Sequence, residues 1–170
     1  MEKPSTAKIA LKWGLISAII IVVYTIIYYM LTLFKSPLAS WIPFIILIFG
    51  IFLAMKEFKE INSFSLKFGE GVNLGALVSA VAGIIASIFT YIYTHFVDTT
   101  IMQQMSDLQR EEMEARGLSG EQIEQAMQMV SKFTTPGLVF LFGVLFYLFF
   151  GVIFSLILAA ILKKNPPVEF

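Results

Sequence analysis

Few residues in this chain have chemistry to offer. His95 is the only histidine. Asp98 follows three positions later, so the two could share a helix face with an imidazole that titrates near neutral pH. A zinc site needs three or four ligands and a second shell, and no Cys, His or Glu pair stands at ligand spacing. With no cysteine there is no thiolate nucleophile, disulfide or zinc ribbon either. His95 therefore reads as an interfacial histidine at a helix end, where an amphipathic ring sits comfortably. Ser79 and Ser87 have no base on their own helix, Asp98 and Asp107 fall in a polar stretch, and no H-e-x-x-H pattern occurs. Thioethers bind Cu(I), and Met102–Met105 and Met127–Met129 have the close spacing that metal handling favours. Methionine packs helical hairpins equally well. No catalytic, cofactor-binding or metal residue is assigned, and the chain is not expected to be an enzyme.

The most specific spacing belongs to small residues. Gly71, Gly75, Ser79, Gly83 and Ser87 are each four apart, which keeps them on one helix face where another backbone can approach closely. Ala10-Gly14-Ala18 and Gly151-Ser155-Ala159 repeat the device. The ladder reads either as a homo-oligomer contact or as packing within one helical bundle, since three helices carry such faces.

These residues need elements to hold them, and the charge pattern defines those elements. Of 170 residues, 58% are hydrophobic and only 14% charged, against about 25% charged in an average soluble domain. No charge falls in 13–34, 36–55, 71–97 or 133–162. A bilayer needs about 20 apolar residues per helical span, and a soluble fold of this length cannot hide four such segments. The expected fold is all-α: a polytopic membrane protein, one membrane domain over 1–170, with four transmembrane helices in an antiparallel bundle. Spans are expected at about 13–34, 41–55, 71–96 and 136–162. The stretch 56–70 mixes Lys and Glu with apolar residues and suits the headgroup layer, with a break at Asn62-Ser63. The first span is too long for a signal peptide and no small-x-small cleavage site follows it, so it reads as a retained helix. Twelve basic and twelve acidic residues leave no net field, so nucleic acid is not an expected partner.

Residues 98–135 form the one sizeable polar segment and carry a net charge of −4. Gly117 suits a helix terminator, and Ser119 with Gln122 fits a capping box. Ile123, Ala126, Met127, Val130 and Phe133 or Thr134 follow the spacing of an amphipathic face, with a weaker stripe at Ile101, Met105 and Leu108. An extramembrane helical hairpin between the third and fourth spans is expected. Orientation follows from the basic residues. Lys3, Lys8, Lys12, Lys56, Lys59, Lys67, Lys163 and Lys164 fall on the side of the termini, against Lys35, Arg110, Arg116 and Lys132 opposite. Both termini belong in the cytoplasm, and Tyr28, Tyr29, Trp41, Tyr91 and Tyr93 belong at the outer interface.

Several motifs together resemble the bacterial domain-of-unknown-function 4199 family of small proteins with four predicted transmembrane helices. They are Phe68-Gly69-Glu70-Gly71, Phe96-Val97-Asp98, the acidic hairpin around Gly117-Leu118-Ser119, Pro136-Gly137, and Leu158 through Lys164. The resemblance covers nearly the whole chain. It implies an integral protein of a bacterial inner membrane and carries over no catalytic residues. Two functions then fit: a non-enzymatic protein whose outer hairpin contacts another envelope component, or a small oligomeric transporter or channel subunit with its path between subunits. Transport paths are marked by ionisable residues inside the membrane, and Asn73, the lone amide in a span, lies near its inner end. The first function is favoured.

Overall fold

The computed structural model describes residues 5–164; Lys3, Pro166, Pro167 and Phe170 lie outside them. Six α-helices account for the architecture, and no strand occurs among the described residues. Helix α1, Thr6–Met30, starts where the Ser5 hydroxyl accepts the Lys8 N–H at 3.4 Å. It begins seven residues before the expected Trp13, because Lys8 and Lys12 can lay their aliphatic stems along a helix while their ammonium groups reach water. It also stops four residues before Phe34. Thr32 takes a left-handed φ of 50°, and Phe34 sits in a separate 3₁₀ turn, Leu33–Lys35.

A second 3₁₀ turn, Ala39–Trp41, leads into α2, Ile42–Ile61. This helix outruns the expected end at Met55 by six residues. Lys56, Glu57, Lys59 and Glu60 interrupt hydropathy but not helix geometry, since Lys and Glu are good helix formers. Met55 and Phe58 stay buried. Half of the expected headgroup-layer segment is therefore a continuation of α2. The break does fall at Asn62-Ser63: Asn62 ends α2, and Ser63 and Phe64 have φ of 51° and 58°.

Helix α3, Phe68–Ile92, begins three residues before Gly71 because the Glu70 carboxylate accepts the Lys67 N–H at 3.0 Å. A wider π-turn, Tyr93–Val97, continues it. The polar stretch holds α4, Thr100–Ala115, and α5, Gly120–Phe133. Between them Gly117 adopts a φ of 80°, and Ser119 and Gln122 exchange capping hydrogen bonds of 2.9 and 3.4 Å. Helix α6, Pro136–Leu162, matches the expected fourth span. Four helical stretches are long and apolar enough to cross a membrane: Thr6–Met30, Ala39–Ile61, Phe68–Val97 and Gly137–Leu162.

Helix α3 is the hub and touches α1, α2 and α6, with α6 as its most extensive neighbour. The small-residue ladder explains why. Gly71 faces Ala159, Gly75 faces Ser155, Gly151 faces Ser79, Gly83 faces Tyr147 and Gly143 faces Ser87. Numbers rise along α3 as they fall along α6. A Cβ on Gly75 or Gly151 would collide with the serine opposite. Those serines return their hydroxyls to their own helix: Ser79 donates to the Gly75 carbonyl at 2.8 Å and Ser155 to that of Gly151 at 2.5 Å. Ala10, Gly14 and Ala18 are buried too, with Gly14 against Val81, and Gly50 of α2 against Ser17. The face that a second copy would use is thus filled by α6 of the same chain. Large side chains point outward instead: Ile19 and Phe149 are each 62% exposed, the arrangement expected where the surrounding solvent is lipid.

One end of the molecule is fastened by polar contacts. Glu57 accepts from Lys12 Nζ at 2.8 Å and from Trp13 Nε1 at 2.7 Å, joining α1 to α2. Leu66 and Lys164 exchange two backbone hydrogen bonds of 2.9 Å. Lys59 Nζ donates to the Leu162 carbonyl at 3.0 Å. The α2–α3 turn and the end of α6 are held together there.

Candidate functional site

At the opposite end, the π-turn sets the geometry. Its wider winding sends the Asp98 N–H to the Tyr93 carbonyl five residues back, at 2.8 Å. Side chains take up carbonyls of the preceding turn. The Thr94 hydroxyl donates to the Thr90 carbonyl at 2.9 Å, and His95 Nδ1 lies 3.1 Å from the Tyr91 carbonyl. His95 and Asp98, which could have shared a helix face, make no hydrogen bond to each other. Asp98 instead accepts the N–H and hydroxyl of Thr100, at 3.0 and 2.6 Å, and so starts α4.

Helices α4 and α5 are seated on this end by a small apolar cluster. Ile101, 1% exposed, packs with Tyr29 and Phe34, and Tyr29 stacks on Tyr93 with ring centroids 5.3 Å apart. Ile123 and Met127 of α5 are buried. Arg110 and Glu124 pair across the two helices at 3.5 Å, and both are substantially exposed. The other faces carry Asp107, Glu111, Glu112, Glu114 and Glu121, all exposed.

Between this seat and α3 lies a cavity of about 430 Å³. Two matched stripes line it. On α4 they are Met102, Met105, Ser106 and Gln109, with Gln103 beside them; on α5 and its C-cap, Met127, Val130, Ser131 and Thr134. Both follow the same helical spacing, three, four and seven positions on from the first methionine, which places each set on one face. Tyr29, Thr90 and Thr94 close the side toward the long helices. A second cavity of about 230 Å³ adjoins it across Tyr29 and Thr90 and is lined by Tyr24, Phe44, Phe146 and Tyr147 among others. Among the described residues neither lining includes an Asp, Glu, Lys, Arg or His.

The methionines singled out for spacing divide accordingly. Met102, Met105 and Met127 come together around the larger cavity, whereas Met129 is 65% exposed. Sequence reasoning passed over Thr90, Thr94, Ser106, Gln109 and Ser131. The signal was present as an uncharged polar stripe beside the apolar one, on two helices whose remaining positions are rich in charge. Ser87, by contrast, is buried against Gly143 with no hydrogen-bond partner among the described residues.

Four membrane-length apolar helices, a close small-residue seam and a seated pair of amphipathic helices define a class, that of helical membrane proteins. Within it, residues 12–164 match the family described as protein of unknown function, DUF4199, and the chain belongs to that family. The match starts at Lys12, which pairs with Glu57, and stops at Lys164, which pairs with Leu66. No curated protein and no solved structure matches the chain.

Proposed function

We propose that the chain is a non-enzymatic multi-pass protein of a bacterial cytoplasmic membrane, an antiparallel four-helix bundle with both termini cytoplasmic. Helices α4 and α5 form an external hairpin that serves as its recognition element. The observation that carries this reading is the two-sidedness of that pair: Ile101, Ile123 and Met127 are buried beneath it, while its acidic side chains are exposed. A net charge of −4 over 98–135 favours a cationic surface or partner. Such attraction is screened beyond about 8 Å at physiological ionic strength, so the contact weakens as salt is added.

Lysine placement supports the orientation, and a reporter active only in the cytoplasm tests it. Fused after Phe170 it should work, and inserted at Gly117 it should be silent; the reverse pattern moves the hairpin inside. Recognition is tested by replacing 100–134 with a flexible linker. Helices in lipid satisfy their own backbone groups, so the variant should still insert while losing the salt-sensitive partner crosslinked through the hairpin. Retention of that partner would move recognition to the spans or to 56–70.

A further inference from the structure

The paired cavities have a chemistry of their own. We infer that they form a binding site for an uncharged, single-chain amphiphile, with its hydroxyl- or ester-bearing head under α4–α5 and its acyl chain between the long helices. A cavity of about 430 Å³ falls within the size range of small-molecule sites, roughly 300–1,000 Å³. Its lining supplies both hydrogen-bond senses. Ser131 and Thr134 already donate their hydroxyl protons to the Gln128 and Ser131 carbonyls, at 2.8 and 3.2 Å. Thr94 has likewise spent its proton on Thr90. These oxygens keep lone pairs that accept from a ligand hydroxyl, while the Ser106 hydroxyl and the Gln109 amide can donate to an ester or carbonyl oxygen.

Charge selects the head. A phosphate, carboxylate or ammonium placed here would meet no counter-charge among the described lining residues, whereas a hydroxyl or ester finds both donors and acceptors. Three thioethers offer soft, adaptable apolar contact beside the polar groups. The tail follows from adjacency. Tyr29 and Thr90 line both cavities, and the second is walled by Phe44, Phe146 and Tyr147, suited to methylenes, with the hydroxyls of Tyr24, Thr25, Tyr28 and Ser40 among them and no charge. Helices α1, α3 and α6, which lend Tyr29, Thr90, Thr94 and Val139, are those long and apolar enough to span, so an amphiphile already dissolved in the bilayer need not cross water to arrive.

The inference rests on the membrane reading but not on the orientation or on recognition by the acidic face. The probe is a monoacylglycerol brominated on its acyl chain, added to the full chain in zwitterionic nanodiscs. A Trp13→Phe background leaves Trp41 as the single tryptophan, and Trp41 lies against Phe44 with centroids 5.8 Å apart. Bromine in the second cavity should therefore quench Trp41 saturably at one probe per chain. The anionic lysophospholipid with the same brominated chain should bind about tenfold more weakly or only partition linearly. Ser106→Leu, which projects into the larger cavity and removes a donor, should weaken monoacylglycerol binding about tenfold or more, and Ser131→Ala should weaken it several-fold. Gln128→Leu, an exposed change outside the lining, should leave it unchanged. Linear quenching by the monoacylglycerol, equal affinity for the anionic probe, or equal binding by Ser106→Leu and Ser131→Ala overturns the site. Stoichiometric Ag(I) uptake that Met105→Leu abolishes, in a chain without saturable quenching, would assign the thioethers to a soft metal instead. Failure of the membrane reading would show separately, as a chain that does not insert into nanodiscs.

Discussion

The seam between α3 and α6 and the seat beneath α4–α5 join helices by opposite means. Along the seam, side chains are nearly absent: Gly75 meets Ser155 and Gly151 meets Ser79, so backbones approach until a single added carbon would collide. On the seat, Ile101, Ile123 and Met127 are buried as large side chains, and a cavity of about 430 Å³ remains beside them. The proposed placement, with the spans in lipid and α4–α5 outside it, accounts for the contrast. Lipid tails are as apolar as Leu, so burying large side chains between spans gains little, and association relies on close van der Waals packing. Where water is the solvent, burying Ile and Met is favourable in itself, and contact need not be so tight. Close packing fixes the long helices; looser packing leaves room for a ligand.

The sharpest way to break the comparison is to thicken the seam. Gly83→Leu places four carbons where Tyr147 already stands 2.7 Å from the position of the first. Overpacking of this kind should destabilise the chain by about 3 kcal/mol or more, visible as loss of folded protein in a detergent unfolding titration. Ile84→Leu and Ile88→Leu, at positions 43% and 44% exposed, should stay within about 0.5 kcal/mol. Equal stability of all three would mean that nothing presses on the ladder.

Cutting into the seat should do less, and locally. Ile101→Ala removes the most deeply buried side chain of α4 and should cost about 2–4 kcal/mol. Hydrogen exchange should then quicken across α4 and α5 while α3 and α6 stay protected. Uniform loss of protection would show that the two regions fold as one unit. Ser119→Ala deletes the cap of α5 and should loosen its first turn by about 1 kcal/mol. Arg110→Ala is expected to change stability by no more than about 0.5 kcal/mol, since its partner Glu124 is exposed. A larger effect would mean that the pair, and not the apolar cluster, holds the hairpin.

The two regions also differed in how far the sequence disclosed them. Ser119, Gln122 and Gly117 marked the α4–α5 turn directly, because capping is local chemistry between residues three apart. The seam's small residues were legible as a face, but their partner was not. A ladder at spacing four records that a backbone comes close without recording whose, and only the opposed Gly143, Gly151 and Ser155 settle it. Helices extend past the expected span ends at Lys8, Lys56 and Glu70 because hydropathy counts charge, whereas a helix continues through Lys and Glu as long as its backbone bonds do. The cavity was hidden for another reason. Ser106 and Gln109 look like ordinary solvent-facing residues until α5 brings Ser131 and Thr134 to the same space.

The pairing of α3 with α6 has a consequence for how the chain is made. Forty-four positions separate Ile92 from Pro136. At about 5–20 residues per second, the glycine face of α3 waits for several seconds before its complement emerges from the ribosome. During that interval the groove is open to any other helix in the bilayer, or to the chaperones and proteases that survey unassembled spans. The two Leu66–Lys164 hydrogen bonds can form only after α6 has reached its place. They act as a latch that distinguishes a finished molecule from a nascent one.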